Sequence, residues 1–182
     1  MKRTLYKSLM ALLVAGASIL TTSAAVPTNP TTDERLVKKV RTELLTMPFL
    51  SVFDHLTYRI DGDTVYLNGQ VIRPTLKTDA GRRVARIEGI TKVVNEIEVL
   101  PLSPFDDRVR LAVARAVYGN SVLNRYALNP NPSIRIVVKN GNVTLEGVVA
   151  REMDRNVANL AANGVFGVFS VTNNLQIEDS KI

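Results

Sequence analysis

Few side chains in this 182-residue sequence are spaced to do chemistry, and most of them fall within one short stretch. From Phe105 to Tyr118, at 100° per residue, Phe105, Val109, Ala112, Val113, Ala116 and Val117 form a broad apolar stripe suited to a core. Nearly opposite lie Leu111, Ala114 and Tyr118, with Arg108 and Arg115 on one flank and Arg110 on the other. An apolar patch edged by guanidinium groups suits a lipid interface, where alkyl area is buried and arginine meets anionic headgroup phosphates. The same patch would also serve as a seam against another domain or subunit. A second candidate is the turn from Gly164 to Phe169. There Phe166 and Phe169 would either close the end of a small core or stand out as an aromatic tip that dips into a membrane.

The remaining inventory points away from catalysis. There is no cysteine, which removes thiolate nucleophiles, thiolate metal sites, disulfides and lipid attachment to cysteine. The one histidine, His55, stands beside Asp54 and cannot build a ligand cluster by itself. Asp61-Gly62-Asp63 places two carboxylates in what reads as an ordinary hairpin turn. No phosphate loop or metal-ligand set is spelled out, so the expectation is no enzyme, no metal and no cofactor. Gly164-x-x-Gly167 has the spelling of a nucleic-acid clamp, but it is apolar and precedes a predicted strand.

These candidates need elements to position them, and the sequence repeats its elements. Val65-Tyr66-Leu67-Asn68-Gly69-Gln70-Val71 returns as Val143-Thr144-Leu145-Glu146-Gly147-Val148-Val149, 78 positions later. The same shift carries Gly89-Ile90-Thr91-Lys92-Val93-Val94-Asn95 onto Gly167-Val168-Phe169-Ser170-Val171-Thr172-Asn173. A constant offset of this kind marks a tandem duplication. In the first copy, Thr32 or Asp33 would cap a helix striped by Leu36, Val37, Val40 and Leu44. Strands follow at Leu56–Ile60 and Thr64–Val71, then a helix from Pro74 striped by Leu76, Ala80, Val84 and Ile87, then a closing strand at Val93–Val99.

The second copy repeats that order: a helix over Asp106–Tyr118, strands at Ser133–Lys139 and Asn142–Val149, a helix over Arg151–Asn163 and a strand at Ser170–Ile177. A right-handed crossover makes the last two strands of each copy parallel, with the middle strand central. Gly69 and Gly147 would let a helix or a bend approach it. Asn95 and Asn173 recur at one place in both copies, which favours a structural role. The loop from Gly119 to Pro132 is five residues longer than its counterpart, a length that a surface loop tolerates. The fold class is therefore α+β: two α-β-β-α-β domains, each a three-stranded mixed sheet with two helices on one face.

Residues 1–25 have the three parts of an export signal: Lys2, Arg3 and Lys7, an apolar run from Ser8 to Leu20, and small residues at Ser23-Ala24-Ala25. Cleavage would leave 20 basic and 17 acidic side chains, a balance that implies no general attraction to nucleic acid. Residues 26–31 read as a flexible lead-in, 32–100 as the first domain, 101–104 as a proline-rich linker, 105–178 as the second domain and 179–182 as a tail. Four linker residues reach about 14 Å at most, so the two domains must be near neighbours.

Val-x-Leu-x-Gly-x-Val followed by Gly-aliphatic-x-x-Val-x-Asn, twice over and behind an export signal, resembles tandem BON domains of the OsmY and DolP type. The resemblance covers residues 31–178. It implies a periplasmic, non-catalytic protein that contacts anionic phospholipid or envelope proteins and supports envelope integrity or the response to osmotic stress. Having no cysteine to acylate, the chain departs from the lipoprotein members, so membrane contact would be peripheral. On this reading Arg108, Arg110, Leu111, Arg115 and Tyr118 are the lipid-binding residues, with Phe166 and Phe169 as a membrane tip. The alternative is a protein-interaction or chaperone-like module that binds no lipid.

Overall fold

In the first half, the helix α1 (Thr32–Leu45) leads into strands β1 (His55–Asp61) and β2 (Thr64–Val71). The helix α2 (Pro74–Val84) and strands β3 (Lys92–Asn95) and β4 (Glu98–Val99) complete that half. The second half repeats the order with α3 (Pro104–Tyr118), β5 (Ile134–Lys139), β6 (Asn142–Val149), α4 (Glu152–Asn163), β7 (Ser170–Asn173) and β8 (Gln176–Ile177). The computed structural model describes residues 32–178; the stretches read as an export signal, a lead-in and a tail, and the side chains of Thr32 and Asp33, lie outside the described part.

Each half is a mixed sheet with its middle strand central. β1 runs antiparallel to β2, with Tyr58 opposite Leu67, and β3 runs parallel to β2, with Val65 opposite Val93. β5, β6 and β7 repeat that arrangement, with Ile136 opposite Leu145 and Val143 opposite Val171. Alternate residues of the middle strands face the helices. Val65, Leu67 and Val71 meet Leu36, Val40, Leu44, Leu76, Ala80 and Val84 in the first core. Val143, Leu145 and Val149 meet Val109, Val113, Val117, Ala158 and Ala162 in the second.

The closing strand of each half is broken in two rather than continuous, and the repeated asparagine supplies the reason. Asn95 donates through Nδ2 to the Lys77 carbonyl of α2 at 2.8 Å, while its Oδ1 accepts from the Ile97 amide at 3.3 Å. Asn173 does the same with Arg155 at 2.8 Å and Leu175 at 3.2 Å. Each amide ties helix to strand at the break, a structural use of the side chain.

At Gly69 and Gly147 the closest approach is by the neighbouring strand rather than by a helix. Both have positive φ, and a Cβ at Gly147 would stand 1.8 Å from the Ser133 carbonyl oxygen. At Gly69 the clash would be with the His55 carbonyl oxygen, at 2.0 Å.

The two halves close one equivalent amide by different means. In the first, the Ile72 amide donates to Asp54 Oδ1 at 2.8 Å, and Asp54 Oδ2 accepts from the Ser51 amide and hydroxyl. In the second, the corresponding Ala150 amide donates to the Tyr126 hydroxyl at 2.8 Å. Tyr126 sits in a turn of 3-10 helix (Asn124–Ala127) formed by the longer loop, and its hydroxyl donates to the buried Asp154 at 2.7 Å. Arg125 also pairs with Asp154. The extra loop length is therefore built into the second core.

The halves are docked through an edge strand. β5 lies at the edge of its sheet, and the Ile136 amide donates to the Val52 carbonyl at 2.8 Å. Arg135 Nη1 donates to the Ser51 carbonyl at 2.8 Å, Asn131 to the Leu45 carbonyl at 3.2 Å, and Lys139 pairs with Glu98 at 2.5 Å. Phe53 packs its ring against the second core. Residues 51–53 thus cover strand groups that would otherwise offer a template for pairing with another chain.

Candidate functional site

The rotation of α3 is fixed at its first turn. Ser103 caps the helix by accepting the Asp106 amide at 3.1 Å, and Asp106 is fully buried, accepting from the Asn140 and Gly141 amides at 2.9 and 2.8 Å. With that carboxylate tied to the β5–β6 turn, Arg108, Leu111 and Arg115 (positions i, i+3 and i+7) face solvent.

Two of the expected contact residues point the other way. Arg110 is 3% exposed; its Nη2 donates to the Val138 carbonyl at 2.8 Å and its Nη1 to Asp107 at 2.5 Å. It therefore borders no outer patch, because that flank of the helix packs on β5. Tyr118 is half-buried and donates its hydroxyl to the Ile134 carbonyl. Burial pushes its phenol up to about 12, so it remains a proton donor at neutral pH. Ala114 packs against the core, and the patch read along one helix is reduced to Leu111 and its two arginines.

A different apolar surface takes its place, spread over the outer side of both helices. Leu111 is half-exposed on α3, and Met153 and Leu160 are exposed on α4, which packs beside it. At the turn leaving α4, Phe166 is 100% and Phe169 74% exposed. Phe105, read as core, is also exposed at its edge and stacks on Phe169 with centroids 5.8 Å apart. The phenylalanines do not plug the core; Gly141 and Gly167 lie beneath that pair with no room for a side chain at Gly141.

The first half has no such surface. At the positions corresponding to Leu111, Met153, Leu160, Phe166 and Phe169 it carries Lys38, Thr75, Arg82, Glu88 and Thr91. Instead a groove of about 900 Å³ runs between α1 and the end of α2, lined by Arg35, Lys38, Lys39, Arg83 and Arg86, with Glu43 paired to Arg83 at 3.2 Å. The helical layers of the two halves are thus cationic in one and apolar in the other. Met153 and Leu160 escaped the sequence reading, although the 78-residue offset that places them opposite Thr75 and Arg82 was available in it.

Asp61-Gly62-Asp63 is a hairpin turn, with Asp63 Oδ2 accepting the Thr91 hydroxyl at 2.5 Å. Among the described residues no group of three histidine, aspartate or glutamate side chains is placed to hold a metal ion. No helix among them is long and apolar enough to cross a membrane.

A family model described as BON domain matches residues 32–101 and again 120–179. No curated protein matches the chain. Among solved structures, the C-terminal domain of CdsD, the structural protein of the type III secretion system of Chlamydia trachomatis, is similar at 11% identity with a TM-score of 0.30, covering 79% of this chain and 97% of that one. A second structure of CdsD gives 12% identity and a TM-score of 0.29, covering 80% and 94%.

Proposed function

The chain belongs to the BON-domain family, with two copies in tandem, and from that premise we propose a non-catalytic protein that binds anionic phospholipid surfaces of the cell envelope through its second domain. The observation carrying this reading is the exposed set Leu111, Leu160, Phe166 and Phe169, where the first domain has Lys38, Arg82, Glu88 and Thr91. Exposed apolar area of this kind is unfavourable in water and marks an interaction surface. Burying a leucine or phenylalanine side chain contributes about 1.5–3 kcal/mol, so a few of them support reversible attachment. Arg108 and Arg115, beside Leu111, would meet headgroup phosphates. The export signal is the sequence feature that supports an envelope setting.

Vesicle flotation tests the reading. The wild-type chain should rise with vesicles of phosphatidylglycerol and phosphatidylcholine, and Leu111→Asp/Phe166→Asp should stay at the bottom. If the wild type fails to float at low salt, while an envelope protein co-purifies with it and is lost from the double variant, the face is a protein-docking surface instead.

A further inference from the structure

A cleft of about 510 Å³ opens where the two domains meet, within the size range of small-ligand sites and at the kind of place they favour. Its apolar walls include Leu44, Leu45, Leu50 and Leu56 from the first domain. The polar groups that line it include Arg41, His55, Ser133 and Arg135.

Two of these are unusual. Arg135 is 9% exposed, yet no carboxylate among the described residues lies within ion-pair distance of it; its guanidinium donates to the Ser51 carbonyl at 2.8 Å. A buried cation without a paired anion is costly, and removing it from water pulls the guanidinium below the usual arginine range. Asp54, whose charge reaches Arg135, already accepts from Ile72 and Ser51. The Ser133 hydroxyl, also buried, has no hydrogen-bond partner among the described residues. A buried hydroxyl left unbonded costs stability unless something else meets it.

We propose that this interdomain cleft binds a single-chain anionic amphiphile, its carboxylate resting on Arg135 and on the Ser133 hydroxyl, which turns about its Cα–Cβ bond to meet it, and its chain lying along Leu44, Leu45, Leu50 and Leu56. The charge balance favours an anion: Arg41 and Arg135 face one carboxylate, Asp54, whose oxygens are already occupied. The apolar walls favour a hydrocarbon chain over a free ion. Because the site is a cleft between domains, its occupant would also bridge them, with Leu45 and Leu50 contributed by one and Arg135 by the other.

The test is titration of the purified full chain with sodium decanoate below its micelle concentration, followed by calorimetry and backbone amide shifts. Decanoate should bind saturably at one site, with the largest shifts at Leu50, Leu56, Ser133 and Arg135. Acetate and octyl glucoside should each bind at least about tenfold more weakly, since each supplies half of the recognition. Arg135→Gln should weaken decanoate about tenfold or more, as expected for a hydrogen bond to a charged group. Ser133→Ala removes a hydroxyl with no partner among the described residues, so it should leave stability unharmed while weakening decanoate a few-fold. That variant keeps the test decisive if Arg135→Gln loosens the domain junction. No saturable binding, equal binding of octyl glucoside, unchanged affinity in Ser133→Ala, or shifts confined to Leu111 and Phe166 would each overturn the proposal. It stands apart from the vesicle reading, because sub-micellar decanoate presents no surface to the outer helical face.

Discussion

The amide of Ile136 and the carbonyl of Val52 meet at 2.8 Å, joining the edge strand of the second domain to a loop of the first. This bond sits between the Arg135–Ser51 bond and the ring of Phe53, which is partly buried against the second core. The domains should therefore unfold together. Phe53→Ala should cost about 2 kcal/mol, below the range for fully buried phenylalanine because the ring is only partly covered. Scanning calorimetry should resolve two transitions in the variant where the wild type gives one.

Arg108 and Arg115 are exposed with no ion pair among the described residues. Near an anionic membrane each contributes about 1 kcal/mol, so each neutralisation should weaken vesicle binding roughly fivefold. In Arg108→Gln/Arg115→Gln the salt dependence of sedimentation with phosphatidylglycerol vesicles should flatten, while thermal stability stays within about 0.5 kcal/mol.

Burial holds His55 below the usual histidine range; Glu146, 3.9 Å away, opposes that shift and Arg135 reinforces it. The unfolded chain therefore takes up this proton before the folded one does. The stability tied to His55 is complete above its unfolded pKa, about 6.5, and is lost as pH falls from there towards the lower folded pKa. His55 being the one histidine, denaturant titrations between pH 7 and pH 5.5 should show a decline that His55→Gln removes.

Tyr126→Phe removes the acceptor of the Ala150 amide and one donor to the buried Asp154 carboxylate. Leaving such groups unmet should cost about 2 kcal/mol, measured by urea unfolding. Flotation should be unaffected at temperatures where the variant is folded, since Tyr126 is buried and offers no exposed apolar side chain of its own.

Gly147→Ala would press a Cβ into the Ser133 carbonyl at a residue with φ of 116°. Strain and overlap together should cost about 3 kcal/mol. Gly62→Ala, where the space is open and only φ is unfavourable, should cost about 1 kcal/mol, and comparing the two separates steric from conformational effects.

The fold was legible because duplication tests every local signal twice. Thr64–Val71 and Asn142–Val149 stand in the structure with the bounds read from the sequence, since alternation and turn residues agree in both copies. The outward surface was less legible. A helical wheel placed Arg110 on an outer flank, but burial of Asp106 fixes α3 so that the guanidinium finds the Val138 carbonyl instead. Tyr118 bends under the helix end to Ile134 for the same kind of reason: a distant backbone acceptor that no local pattern announces. The breaks after Asn95 and Asn173 were hidden because apolar alternation continues across them. The interdomain cleft could not be read at all, since it depends on how two separately folded sheets meet.

The different closures of the Ile72 and Ala150 amides bear on how the two copies can still change. Asp54 serves the first through a short loop that also presents Val52 and Phe53 to the neighbouring sheet; Tyr126 serves the second through a loop that the first lacks. A chimera made of two leading halves would have no Tyr126 and no apolar outer layer, and one made of two trailing halves would lose the segment that seals β5. The duplication has become irreversible: neither module can now stand in for its sibling.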